Sequence, residues 1–208
     1  MIAIIDYGMG NVTSVRNAFA HLGFATVLTD DPTVLDSCRS IVLPGVGAFG
    51  SAVEELQRKG LFNYLHRRRE KGCVLLGICL GQQLFFDSSE ENPGSGGLAY
   101  FRNTVRRFPP RAKVPHMGWN RVYNTDGDDP LFQGIPQGSR FYFAHSYYAP
   151  LSQDYLLARC RYTVDFAAAV KQGNTYGLQF HPEKSGEWGL RLLANFGRMV
   201  EDADHSGN

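Results

Sequence analysis

A ten-residue stretch at 74–83, Val-Leu-Leu-Gly-Ile-Cys-Leu-Gly-Gln-Gln, constrains the fold more than any other part of the chain. Its first half is apolar and rich in branched residues, the pattern of a strand buried on both faces. Gly77-Ile78-Cys79-Leu80-Gly81 then gives G-x-C-x-G, and residues 82–86 have the composition of a helix start. Strand, tight turn and helix is the setting that holds a nucleophile on a strained elbow, with cysteine here in the place of serine. Glycines on either side let the backbone turn sharply, so the side chain between them projects from the strand end. A helix starting there aims free N–H groups and the positive end of its dipole at the sulfur, and both favour thiolate over thiol. A buried structural cysteine is the commoner fate of a free thiol. A base elsewhere in the chain decides between the two readings.

Strands and helices alternate through the first half. Residues 2–5 form a short apolar strand, Asp6-Tyr7-Gly8-Met9-Gly10 a turn, and Asn11 is an N-cap for a helix. Val12, Val15, Phe19 and Leu22 recur at helical spacing up to Gly23. Residues 26–28 and 40–43 read as the second and third strands, the latter followed by Pro44-Gly45-Val46-Gly47. Phe49, Ala52, Val53 and Leu56 mark one helix face, and 61–71 is a further helix closed by Gly72. This alternation predicts a parallel sheet with right-handed crossovers. A polar, glycine-rich loop at 87–97 follows, and the character then changes. Stretches 98–108, 114–123, 140–144, 155–162, 166–171 and 175–180 are short, aromatic or β-branched and bounded by turn residues, hence strands. Gln172-Gly173-Asn174 suits a hairpin turn, and 128–132 suits one helical turn. A last helix from about Ser185 turns Leu192, Leu193, Phe196 and Val200 inward. The expected fold is α/β: one three-layer domain over 1–200, its mixed, mainly parallel sheet flanked by helices, with a loose polar tail at 201–208. Active sites in such sheets lie beyond the carboxyl ends of the strands, where Cys79 sits.

The 208 residues suffice for a single domain with a proper core. A net charge of +1 points to no nucleic-acid partner and no anionic membrane. Arg67-Arg68-Arg69 and Arg106-Arg107 read as a solvated helix face and strand end. No apolar run has the length of a membrane span. Residues 1–5 carry neither a basic start nor a small-residue cleavage site, so they read as a strand and not a signal peptide. Cys38, Cys73, Cys79 and Cys160 show no paired spacing, and with no secretion signal a reduced, cytoplasmic protein is the simplest reading. Without H-E-x-x-H or a His/Cys cluster, no metal site and no cofactor are expected.

The base is found in Phe180-His181-Pro182-Glu183, which follows an apolar strand. In an extended segment His181 and Glu183 fall on the same side, and Pro182 biases His181 away from helix. Glu183 can therefore hold one ring nitrogen while the other faces a thiol, the order of nucleophile, base and orienter in a triad. A lone histidine after a strand is more often structural; together with the elbow, the set reads as catalytic. An acyl-transfer intermediate also needs donors for its oxyanion. The N–H of Leu80, after the nucleophile, is one; Gly45-Val46-Gly47 at the neighbouring strand end can offer the other, because glycines there let a peptide plane turn its N–H inward. That loop also spells G-x-G-x-x-G with Gly45, Gly47 and Gly50. A dinucleotide fingerprint is rejected, because it calls for an acidic residue ending the next strand about twenty positions on. Glu70, at that distance, lies in a basic helix before the next strand.

The elbow with a distant His181-Pro182-Glu183 resembles the class I, triad-type glutamine amidotransferases. Asp6-Tyr7-Gly8-Met9-Gly10-Asn11, Leu43-Pro44-Gly45-Val46-Gly47, Pro115-His116-Met117-Gly118-Trp119-Asn120 and Phe180-His181-Pro182-Glu183-Lys184-Ser185 narrow the likeness to glutaminase subunits of imidazole glycerol phosphate synthase. The likeness runs to about Val200. It implies that Cys79 attacks the side-chain amide of glutamine and that His181 serves the leaving ammonia and then the water. It implies further that Gly47, Gln83, Ser146 and Tyr147 hold glutamine. Asn11, Trp119, Tyr142 and Lys184 would line the contact with a (β/α)8 cyclase subunit and the ammonia route, in a heterodimer. The Val46 peptide plane would turn to complete the oxyanion hole when the partner is loaded. Gln82 stands where many relatives are expected to carry methionine, a difference of local packing. Three other readings share these residues: an amidotransferase feeding a related barrel in surface-sugar synthesis, a free-standing γ-glutamyl cysteine hydrolase, and a catalytically silent regulatory subunit.

Overall fold

Short apolar strands with buried side chains on both faces form the centre of the sheet, as continuous burial demands. The computed structural model describes residues 1–205. In chain order it contains β1 (Ile2–Ile5), α1 (Val12–His21), β2 (Thr26–Thr29), α2 (Pro32–Asp36), β3 (Ser40–Gly45), α3 (Phe49–Arg58), α4 (Leu61–Glu70), β4 (Val74–Cys79), α5 (Leu80–Gln83) and β5 (Phe86–Ser89). There follow β6 (Phe101–Arg107), β7 (His116–Asn124), β8 (Ser139–His145), β9 (Tyr147–Tyr148), β10 (Leu156–Tyr162), β11 (Val164–Gln172), β12 (Thr175–Leu178) and α6 (Gly186–His205). Single 3₁₀ turns lie at Pro130–Phe132 and Pro182–Lys184.

Among the described residues the main sheet has nine strands in the order β2-β1-β3-β4-β12-β11-β10-β7-β8. From β2 to β12 neighbours run parallel; from β12 to β8 they run antiparallel. Alternation along β1 and β3 separates two cores. Ile2, Ile4 and Val42 pack with Phe19 of α1 and Phe196 of α6, whereas Ala3, Ile5 and Leu43 pack with Phe49 and Leu56 of α3 and Leu65 of α4. Three layers result, as expected from the strand–helix alternation. The first helix starts at Asn11, whose side chain accepts from the Ser14 N–H at 3.4 Å.

Five sequence expectations change. The helix expected over 82–86 is the single turn α5, and the chain is back in strand by Phe86. The expected loop 87–97 therefore begins as β5, which pairs with β6. The strand expected over 98–108 starts at Phe101, because Leu98 and Tyr100 donate their N–H groups to Leu84 and Phe85 in the turn beneath it. The helix α2, too short to show periodicity, was not expected; Asp31 caps it and Pro32 opens it. The last helix continues through His205, into the stretch expected to be a tail. Residues 206–208 of that stretch lie outside the described residues.

Candidate active site

Cys79 ends β4 with φ +56°, ψ −108°, a conformation that L residues rarely adopt. Glycines make this geometry possible. A Cβ on Gly77 would lie 2.6 Å from the Gly81 carbonyl, and one on Gly81 would lie 1.8 Å from the Leu43 carbonyl oxygen. Both contacts are with backbone, so no side-chain rotation relieves them. The elbow thus depends on close backbone approach as well as on a sharp turn. Because α5 is one turn long, a summed helix dipole contributes little at the sulfur.

Parallel pairing of β4 with β12 puts both carboxyl ends on one side. His181 follows β12 by three residues and is buried. Its Nδ1 lies 2.8 Å from Glu183 Oε1, so the carboxylate fixes the ring and leaves Nε2 for a proton transfer. Burial acts against a charged His181, but the Cys79 thiol and then the Glu183 carboxylate outweigh it and push the imidazole up to about 10. The turn itself is clamped to β8. The His181 N–H donates to the Tyr142 carbonyl at 2.9 Å, and Ser185 Oγ donates to the His181 carbonyl while accepting from the Tyr142 N–H.

A cleft of about 200 Å³ opens beside the sulfur. Gly47, Gln83, Ser146 and Tyr147, the four residues expected to hold glutamine, all line it with Cys79, Leu80 and Val46. Asn11 instead lines a smaller cavity with His181 and Glu183. Trp119 and Tyr142 are partners across the β7–β8 pair with rings edge to face, and Lys184 is exposed in the 3₁₀ turn beside them. Trp119 is 53% exposed and Met117 65%, so this corner presents large apolar side chains to solvent. The Val46 N–H donates to the Met9 carbonyl at 3.2 Å and so does not face the cleft. Gly47, beside it, has φ +104°, a conformation open to glycine.

Sequence reasoning missed three residues here. Gln179 is fully buried and its Nε2 lies 3.8 Å from Cys79 Sγ. The signal was present, since Gln179 is two residues before His181 on an extended segment, the same arithmetic that selected Glu183. Glu91 lines the cleft and accepts the Phe49 N–H at 2.8 Å, while Asn92 accepts the Gly50 N–H. The chain thereby fills the N-terminus of α3 with its own carboxylate and amide, which leaves the G-x-G-x-x-G loop no place for a phosphate. His145 also lines the cleft, and its Nδ1 donates to the Tyr147 carbonyl at 2.7 Å. These two came from a loop and a strand end without a local motif.

Among the described residues no His/Cys/Asp/Glu group could hold a metal, and no helix is long and apolar enough to cross a membrane. All four cysteines are buried thiols. The family described as Glutamine amidotransferase class-I matches residues 3–200. The chain is 47% identical to the imidazole glycerol phosphate synthase subunit HisH of Moorella thermoacetica, over all of this chain and 99% of that one. It is also 47% identical to the HisH subunit of Methanothermobacter thermautotrophicus, over 96% and 99%. A solved glutamine amidotransferase superposes with a TM-score of 0.76 at 17% identity, covering 97% of this chain and all of that one. PurLQS from Thermotoga maritima superposes with 0.74 at 20% identity, over 96% and 98%. An elbow thiol, a His–Glu pair at the next strand end and full-length likeness agree: the chain belongs to the class-I glutamine amidotransferases, and among them to the HisH subunits of imidazole glycerol phosphate synthase.

Proposed function

We propose that the chain hydrolyses glutamine to glutamate and ammonia through a Cys79 thioester and delivers the ammonia to a cyclase subunit. The observation that carries the reading is the placement of Cys79 and the His181–Glu183 pair at adjacent parallel strand ends. In the first half-reaction the Cys79 sulfur bonds to the side-chain amide carbon, and the carbonyl electron pair moves to oxygen. The Leu80 N–H stabilises that oxyanion. His181, charged in the resting pair, gives its proton to the amide nitrogen; the C–N bond breaks and ammonia leaves. The γ-glutamyl thioester is then attacked by water, whose proton goes to His181, and glutamate departs as the thiolate returns.

The cleft holds glutamine between Gly47, Gln83, Ser146 and Tyr147. The partner is a (β/α)8 cyclase forming a heterodimer, and its docking face is the Trp119, Tyr142 and Lys184 corner, with Asn11 on the ammonia side. In the described state the Val46 N–H is held by Met9. Partner binding that turns this plane would add the second oxyanion donor, so the isolated chain is expected to be slow. The test is glutamate release with and without purified cyclase subunit and its nucleotide ligand. Large stimulation is expected, and Cys79→Ala abolishes it while ammonia-dependent synthesis by the partner continues. Equal, substantial turnover without the partner would replace this reading with a free-standing hydrolase.

A further inference from the structure

Resting on the reading of Cys79 as nucleophile, we infer that Gln179 is a further donor to its sulfur, with an amide N–H aimed at Sγ and held in that orientation by Gln83. The orientation follows from which atoms can only accept. The Tyr147 carbonyl is an acceptor only, and it lies 3.0 Å from Gln83 Nε2. That contact fixes the NH₂ end of Gln83. The same nitrogen lies 2.9 Å from Gln179 Oε1, so Gln179 turns its oxygen to Gln83 and its NH₂ to the sulfur at 3.8 Å.

The Tyr147 carbonyl is itself pinned by the His145 Nδ1–H at 2.7 Å. With Nδ1 protonated, His145 Nε2 accepts from His116 Nδ1 at 3.0 Å, and His116 Nε2 accepts from Asn120 at 3.2 Å. Every ring nitrogen in the row has a partner when both histidines are neutral. The Tyr147 carbonyl thus accepts from both His145 and Gln83, and Gln83 in turn donates to Gln179, whose NH₂ end is left for the sulfur. Gln179 is wholly buried, so its side-chain amide has no solvent to turn towards, and its backbone N–H is held by the Ala168 carbonyl at 2.8 Å.

A donor at this position stabilises negative charge on sulfur and loses that role as the C–S bond forms. It acts beside His181, which faces the same atom with Glu183 behind it; Tyr7, His145 and Glu91 are the other titratable groups around the site. A long N–H···S contact is a modest contribution, so the expected change is a fraction of what the imidazole supplies.

The experiment is the pH profile of iodoacetamide alkylation at Cys79 in the full chain, read by mass spectrometry of its peptide. This readout needs no glutamine turnover, so it separates failure of this inference from failure of the glutaminase reading. Gln179→Met keeps length and removes the N–H. The profile midpoint is expected to rise by about half to one pH unit, and the rate near neutral pH to fall about 3- to 10-fold. Gln83→Met frees the Gln179 amide to rotate and is expected to give a smaller rise. An unchanged midpoint in folded Gln179→Met overturns the inference. If that variant does not fold, an unchanged midpoint in Gln83→Met does so.

Discussion

His116 and His145 form a buried pair whose cost can be measured. His116 is sandwiched between Tyr162 and Phe143, with ring centroids at 4.1 and 4.8 Å, and burial pushes it down to about 4. Burial likewise lowers His145 to about 3, partly opposed by its bond to the Tyr147 carbonyl. Both therefore stay neutral in the fold at a pH where the unfolded chain protonates them. Between an unfolded value of about 6.5 and these folded values the unfolded state binds more protons, so stability falls as pH falls. For His116 alone, the loss between about pH 7.5 and about pH 5 is ~2 kcal/mol at 1.36 kcal/mol per unit. Residual access to water halves this to about 1 kcal/mol.

The wild-type curve by itself does not report this term. His181 is raised to about 10, so its contribution is complete below the unfolded value and is lost as pH rises through the folded one. Over the same interval it works in the opposite sense. The readable quantity is the difference between wild type and His116→Asn, which keeps an N–H donor towards His145 and cannot titrate. Urea unfolding at both pH values gives it. The variant is less stable at the higher pH, because it loses the stack with Tyr162, and that deficit should shrink by about 1 kcal/mol at the lower pH. A deficit that stays the same within about 0.3 kcal/mol would refute the claim that His116 is folded in its neutral form.

Two further substitutions test the elbow and its packing. Gln82 is fully buried, its Nε2 makes one long 3.4 Å contact to the Ala167 carbonyl, and its Oε1 has no partner. Gln82→Met, close in volume, should stabilise the chain by about 1 kcal/mol, a thermal midpoint about 2–4 °C higher in calorimetry; a lower midpoint would show that the amide is satisfied. Gly81→Ala places a Cβ 1.8 Å from the Leu43 carbonyl oxygen, so loss of the folded chain, read by circular dichroism, is expected. A folded Gly81→Ala protein would mean that the elbow has more room than described.

The legible parts of this fold were those with continuous local signals. Unbroken apolar runs gave β1, β3 and β4, and helical spacing gave α1, α3, α4 and α6. Cys79, His181 and Glu183 could be singled out as candidates because they follow apolar strands, the last two being two residues apart. What stayed hidden depended on tertiary pairing. The helix α5 stops after one turn because Leu84 and Phe85 supply carbonyls to Leu98, Tyr100 and Phe101, a contact no local pattern records. Glu91 was read as loop; its role comes from meeting the first N–H of α3, forty-two residues earlier in the chain.

The larger hidden feature is the curl of the antiparallel half. By hydrogen-bond order β8 is the edge strand, four neighbours away from β12. Yet Tyr142 of β8 bridges to His181, just beyond β12. An edge strand reaches the middle of its own sheet only if the intervening strands roll up, and the interior of the roll must then be filled. Phe141, Phe143, Phe166 and Phe180 fill it: the Phe141–Phe180 centroids are 4.3 Å apart and Phe143 meets Phe166 at 5.8 Å. The roll removes an exposed edge. It also carries the carboxyl end of β8 over the elbow, where the Ala144 carbonyl lies 3.9 Å from the Cys79 sulfur and Ser146 and Tyr147 close the cleft. The aromatic alternation in 140–144 is thus a packing signal with a consequence for the site. By closing the roll, it gives the thiol a second wall and sets the Tyr147 carbonyl where the buried amides can be oriented by it.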